Sequence, residues 1–270
     1  MTRTPENLFG VKLVGSGSAT PAQIIKNDEL SLRVETSDSW IKSRTGISQR
    51  HVVGENESLT ELGVVAAQRA IQIAGWNSDS IDLLILATST PDDLFGSAPK
   101  IQSDLGADNA FAFDLTAACS GFLFALITAS QYLSSGSMRR ALVIGADQLS
   151  SWVDWDDRRS CVLFGDGAGA VAMESIPHIQ NDLIGYRLRS DGSRGKSLNL
   201  PTIKEYQQLV DQKMYQKGGF SPIEMNGKEV YKFAVREVPL ILEELLKAHQ
   251  INPADLDWLL LHQANQRILE

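Results

Sequence analysis

Apolar residues fall along the chain in two kinds of run. Five short ones, "VKLVGSGSATP" (11–21), "IDLLILATSTP" (81–91), "AFAFDLT" (110–116), "ALVIGADQ" (141–148) and "GAVAMES" (169–175), are rich in Val, Ile, Leu and Ala and read as buried strands. Between them "SLTELGVVAAQRAIQIAG" (58–75) and "SGFLFALITASQYLSSG" (120–136) place apolar residues at helical spacing and end in Gly, a common helix terminator. Strands alternating with helices predict a layered α/β protein.

The pattern then recurs. "IAGWNSDSIDLLILATST" (73–90) lies over "AHQINPADLDWLLLHQAN" (248–265), each reading as a helix end, a short turn containing Asn and a buried strand. Duplication predicts two similar halves packed together, with a site where the strands of both halves end. "NDLIGYRLRSDGS" (181–193) then supplies the first strand of the second half. The stretch from Asp191 to Pro222, with "DGSRG" and "KGGFSP", reads as a long excursion outside the core.

Charge changes this picture little. Lys and Arg total 25 against 33 Asp and Glu, a net charge of -8, so the whole-chain balance calls for neither nucleic acid nor an anionic membrane. No apolar stretch reaches membrane-spanning length and the start lacks a signal-peptide run, so a cytoplasmic protein is expected. Two cysteines, Cys119 and Cys161, suit free thiols in a reducing compartment, and no His/Cys cluster suggests a metal.

Cys119 stands between a strand and a helix in "DLTAACSGFLFAL" (114–126). At the first turn of a helix a thiol meets unpaired N–H groups and the positive end of the helix dipole, which lowers its pKa toward the nucleophilic thiolate. A small buried apolar role fits the same stretch. Among the four histidines, His51, His178 and His249 suit surface roles, whereas His262 follows "DWLLL" at the expected carboxyl end of a buried strand, where α/β sites form. A solvated turn fits it equally. "GDGAGA" lacks the spacing and Lys of a phosphate-binding loop and reads as close strand and helix packing, with Cys161 structural.

"SDSWIKSRTGI", "ATSTPDDLFGSAP", "AFDLTAACSGF", "FGDGAGA", "MNGKEVYKFAVR" and "HQANQRI" together resemble, in order, the motifs of the β-ketoacyl-[acyl carrier protein] synthase III family, from about Val11 to the last residue. The resemblance implies a thiolase-like fold: two pseudo-duplicated α/β halves, 1–175 and a partial 176–270, in an α-β-α-β-α arrangement. It implies a decarboxylative Claisen condensation of an acyl-CoA, typically acetyl-CoA, with malonyl-[acyl carrier protein], without metal or redox cofactor. Cys119 matches the nucleophile, and its N–H an oxyanion donor. His262 matches the histidine that hydrogen-bonds the thioester oxygen during decarboxylation. Trp40 and Arg158 match the pair that sandwiches the CoA adenine, and Arg44 and Asn265 match contacts to the rest of CoA. The acidic carrier protein needs a local basic patch, for which Lys232 and Arg236, spaced i, i+4 on the expected helix 229–248, are candidates together with Arg267. Phe95 matches the residue that crosses the family's homodimer interface to wall the partner's acyl pocket.

The family's "GNTSA" asparagine motif and a Gly-rich oxyanion motif are not in this sequence, which leads us to expect a C-terminally truncated chain with an incomplete second half and slowed condensation. Losing one such donor typically costs about 10² to 10³ in rate. Two other functions fit the same residues: a related starter-unit acyltransferase or polyketide enzyme, and a non-catalytic fragment that dimerises or binds carrier protein.

Overall fold

The computed structural model describes residues 9–270, which fold as two compact units. The first comprises residues 9–24, 51–148 and 165–188; the second comprises 25–50, 149–164 and 189–270. The expected 175/176 division follows the internal repeat, whereas the two units follow packing, which groups the segments 25–50 and 149–164 with the later part of the chain.

All five expected strands form, and they make one sheet in the first unit. They are β1 (Phe9–Ala19), β2 (Leu83–Ala87), β3 (Phe111–Leu115), β4 (Arg140–Gln148) and β5 (Asp166–Pro177), in the order β1-β5-β4-β2-β3. β2 runs parallel to β3 and β4, while β5 is antiparallel to β4 and β1. β2 reads "LLILA" without a polar break because both of its faces are covered. Leu84 and Leu86 face one cluster with Ala66, Ala70, Ile71 and Ile101; Leu83, Ile85 and Ala87 face another with Ala125, Ala129 and Leu133. Helices Leu59–Ala74 and Ala98–Leu105 thus cover one face and helix Gly121–Ser134 the other.

Helix Leu59–Ala74 begins where the Ser58 side chain accepts from the Glu61 N–H at 3.1 Å and ends at Gly75 in the left-handed region, as the sequence predicts. Its approach to β1 depends on two glycines. A Cβ on Gly15 would lie 2.2 Å from the Ala70 carbonyl oxygen, and one on Gly17 would lie 2.2 Å from that of Ala66. The "GDGAGA" run, expected to give close strand and helix packing, lies from Asp166 onward in β5 of the sheet. Gly167 and Gly169 sit in β5, where Gly169 pairs with Ser18 of β1 and Gly167 with Asp147 of β4, and a Cβ at either would meet only ordinary contacts.

In the second unit, helix Gly227–Ala248 forms around the expected 229–248 segment, capped by the Asn226 side chain. The excursion holds a short exposed hairpin, Tyr206–Val210 with Lys213–Gln216. Two expected strands do not form. Residues 183–190 and 256–261 are irregular, and Trp258 and Leu260 are 82% and 86% exposed where a buried strand was expected. A strand exists through a neighbour's hydrogen bonds, and neither segment has one among the described residues. No helix among the described residues is long and apolar enough to cross a membrane.

Candidate active site

The turn that carries Cys119 is made by the end of β3. The chain leaves the strand at Leu115, and Ala118–Ser120 form a single 3-10 turn directly before helix Gly121–Ser134. Ala118 has φ +47, the left-handed region in which a residue with a Cβ is strained. Cys119 is exposed, so the small, buried, apolar role does not apply to it.

The expected low thiol pKa is reversed. Desolvation, followed by the negative charge of Asp147, pushes the Cys119 thiol up, and the smaller influence of its own N–H works in the other direction. The residue is open by surface area, yet enough protein surrounds the sulfur for desolvation to lead. The helix terminus alone would lower the thiol; the protein around the sulfur and the acid across from it outweigh that pull.

That acid lies near the end of β4. Asp147 Oδ1 accepts from the Ser89 backbone N–H at 2.8 Å and from the Thr90 and Thr88 hydroxyls at 3.2 and 3.3 Å. Burial pushes its carboxyl pKa up, and these hydrogen bonds oppose the shift. Sequence reasoning missed Asp147, although an acid at the end of the apolar run "ALVIGADQ" was a visible signal.

Trp40 and Arg44 share helix Asp38–Thr45, whose first turn is held by the Ser37 hydroxyl accepting from the Trp40 N–H at 3.1 Å. The Arg158 guanidinium lies 5.2 Å from the Trp40 ring centroid and that of Arg44 lies 5.9 Å away, so the structure brings three of the four residues matched to CoA contacts onto one indole. Arg158 Nη1 also donates to the Glu35 carbonyl at 2.8 Å. The fourth residue, Asn265, caps the short helix Gln266–Leu269 by accepting from the Arg267 N–H at 3.0 Å. That helix packs on the end of the Trp40 helix, since a Cβ on Gly46 would lie 2.6 Å from Gln266 Oε1.

His262 belongs to the second unit and is exposed in an irregular segment, not at the end of a buried strand. Lys232 and Arg236 are exposed on helix Gly227–Ala248, and Lys232 Nζ pairs with Glu229 at 2.8 Å. Arg267 is exposed as well. Cys161, by contrast, is fully buried; burial pushes its thiol pKa up, as suits a structural cysteine. Next to it Arg50, only 5% exposed, donates through Nη2 to Asn27 Oδ1 at 2.8 Å.

Phe95 is 97% exposed and Leu94 beside it 85%, on a loop fixed from below. The Phe95 N–H donates to Asp93 Oδ1 at 2.8 Å, and Asp114 of β3 accepts from the N–H groups of Ser97 and Ala98 at 2.9 and 2.7 Å. Large apolar side chains are thus held out in water by an ordered backbone.

Residues 113–192 match the family model for 3-oxoacyl-[acyl-carrier-protein (ACP)] synthase III. The chain is 68% identical over 261 residues to a β-ketoacyl-[acyl-carrier-protein] synthase III of Prochlorococcus marinus (strain MIT 9313), covering 97% of this chain and 77% of that one. It is 63% identical to the enzyme of that name from Synechococcus sp. (strain RCC307), covering 97% and 78%. Among solved structures, 3-oxoacyl-[acyl-carrier-protein] synthase III from Aquifex aeolicus VF5 superposes with a TM-score of 0.84 at 37% identity, over 96% of this chain and 78% of that one. The priming β-ketosynthase of the R1128 polyketide pathway gives 0.84 at 31%, over 99% and 78%.

Proposed function

This chain belongs to the β-ketoacyl-[acyl-carrier-protein] synthase III family, and we infer from that premise that it condenses an acyl-CoA with malonyl-[acyl carrier protein] to start fatty acid synthesis. Its fold is the thiolase fold of that family. Cys119 is the nucleophile. Its thiolate attacks the thioester carbonyl of acyl-CoA, its N–H donates to the oxyanion, and the tetrahedral adduct collapses to acyl-Cys119 and CoA thiolate. The thiol proton ends on CoA, so that step balances without a cofactor. Malonyl-[acyl carrier protein] then loses CO2, the resulting enolate attacks acyl-Cys119, and the thiolate returns as the 3-oxoacyl product leaves. His262 donates a hydrogen bond to the malonyl thioester oxygen as charge builds there.

Trp40, Arg44, Arg158 and Asn265 hold CoA, and their grouping in the second unit supports this reading. Lys232, Arg236 and Arg267 dock the acidic carrier protein. Phe95 meets a second copy of the chain, and its near-complete exposure on an ordered loop supports a homodimer. We place the protein in the cytoplasm, without membrane or nucleic-acid partners. The observation that carries the reading is the exposed Cys119 on a strained turn at the end of a parallel strand, in a chain 68% identical to an enzyme of this name. The polyketide priming reading is weaker because the similarity there falls to 31%.

The test is intact mass after incubation with acetyl-CoA, for the protein and for Cys119→Ala. The expected result is one acetyl group on the protein and none on the variant. A folded protein that takes up no acetyl group overturns the assignment.

A further inference from the structure

The strained turn at Ala118 has to be held by its surroundings, and the loop after β2 that touches its base is organised by one side chain. Asp147 Oδ1 gathers the backbone N–H of Ser89 and the hydroxyls of Thr88 and Thr90. Thr90 is fixed further, since its N–H donates to Thr88 Oγ1 at 3.1 Å and its Oγ1 accepts from the Gln148 N–H at 2.7 Å. This loop in turn grips the cysteine segment, with the Thr88 N–H donating to the Leu115 carbonyl at 3.1 Å and Ser89 Oγ lying 3.5 Å from Thr116 Oγ1.

We propose that Asp147 is a positioning residue for Cys119, holding the 116–120 turn through the Thr88–Thr90 loop. The proposal rests on Cys119 being the nucleophile. Burial raises the Asp147 carboxyl, and a backbone N–H and two hydroxyls on one oxygen oppose that rise by stabilising the carboxylate. Asp114, the other acid near this turn in sequence, accepts the N–H groups of Ser97 and Ala98, and among the described residues Asp147 is the charged group acting on the thiol. Desolvation first and this charge second keep the resting thiol protonated, which guards an exposed cysteine against electrophiles, and a raised pKa makes the thiolate a stronger nucleophile once formed.

The experiment follows iodoacetamide alkylation of Cys119 against pH, read by peptide mass, in the protein, in Asp147→Asn and in Asp147→Ser, alongside steady-state acetyl transfer. Both replacements keep an acceptor for the Ser89 N–H and remove the charge, and circular dichroism identifies the folded variant to be read. Alkylation at pH 7 should become roughly threefold to tenfold faster as the negative charge is lost. The kcat for acetyl transfer should fall roughly tenfold or more, with KM for acetyl-CoA unchanged, as the turn loosens. An unchanged alkylation profile in a folded variant overturns the electrostatic role, and an unchanged kcat overturns the positioning role. Alkylation needs no CoA site, so the first result stands whether or not the wild-type protein takes up acetyl from acetyl-CoA, which separates failure here from failure of the proposed function.

Discussion

Arg158 lies over the Trp40 ring, and the spacing says what must happen if CoA binds there as proposed. A flat base between two flat groups needs two van der Waals gaps, about 7 Å in all. The observed 5.2 Å from guanidinium to ring centroid is too short, so Arg158 must swing out and its 2.8 Å hydrogen bond to the Glu35 carbonyl must break. The resident contact is worth about 0.5–1 kcal/mol at an exposed site. Stacking a base on an aromatic side chain contributes about 1–3 kcal/mol. Trp40→Ala loses the second quantity but also the resident contact, a net of about 0.5–2 kcal/mol, or roughly threefold to thirtyfold in CoA affinity. Arg158→Ala loses one stacking face but also the competing contact, and the offset leaves roughly threefold. Isothermal titration calorimetry with CoA measures both. If Arg158→Ala costs as much as Trp40→Ala, or more, the guanidinium is not a competitor for the indole and the reasoning fails.

Two further outcomes follow from the same structure. Gly17→Ala should lower Tm by roughly 5–10 °C in a thermal melt, because the new Cβ meets the backbone of Ala66 and Ala70 rather than a flexible side chain. The double variant Lys232→Glu with Arg236→Glu should weaken carrier-protein binding several-fold in surface plasmon resonance, mostly through slower association, and the difference should shrink as salt is added. Equal association rates at low salt would place the docking patch elsewhere.

The sheet was legible because its strands carry their own evidence. β2 alternates between two buried faces, and the sequence shows this as an unbroken apolar run ending at Thr88. Helix Leu59–Ala74 was legible for the same reason, with Ser58 and Gly75 marking its ends. The close approach of that helix to β1 was missed, since "VGSGSA" does not reveal that two of its residues meet backbone oxygens. The segments 183–190 and 256–261 show the limit of reading strands from composition. Their apolar residues satisfy the pattern, but a strand is a pairwise object and the neighbour is not encoded in the run itself. At the site, the resemblance grouped Trp40, Arg44 and Arg158, and the structure brings these three side chains together. Sequence reasoning misjudged the thiol because the desolvation that leads the upward shift comes from the folded surroundings of the sulfur, and the second cause, Asp147, lies 28 positions downstream on a different strand.

That strand order also governs how the protein is made. Phe9 of β1 pairs with Pro177 and Ala19 with Ala168, so during synthesis β1 finds this ladder only after about 150 to 170 more residues. At synthesis rates of roughly 5–20 residues per second, β1 waits on the order of ten to thirty seconds with its backbone unpaired. Gly15 and Gly17 offer an earlier hold. The helix Leu59–Ala74 that nests on them follows within about 60 residues of chain, and by covering β1 it screens an apolar strand from other nascent chains until β5 arrives. In birth order, then, the glycine contact precedes the sheet that it later helps to pack.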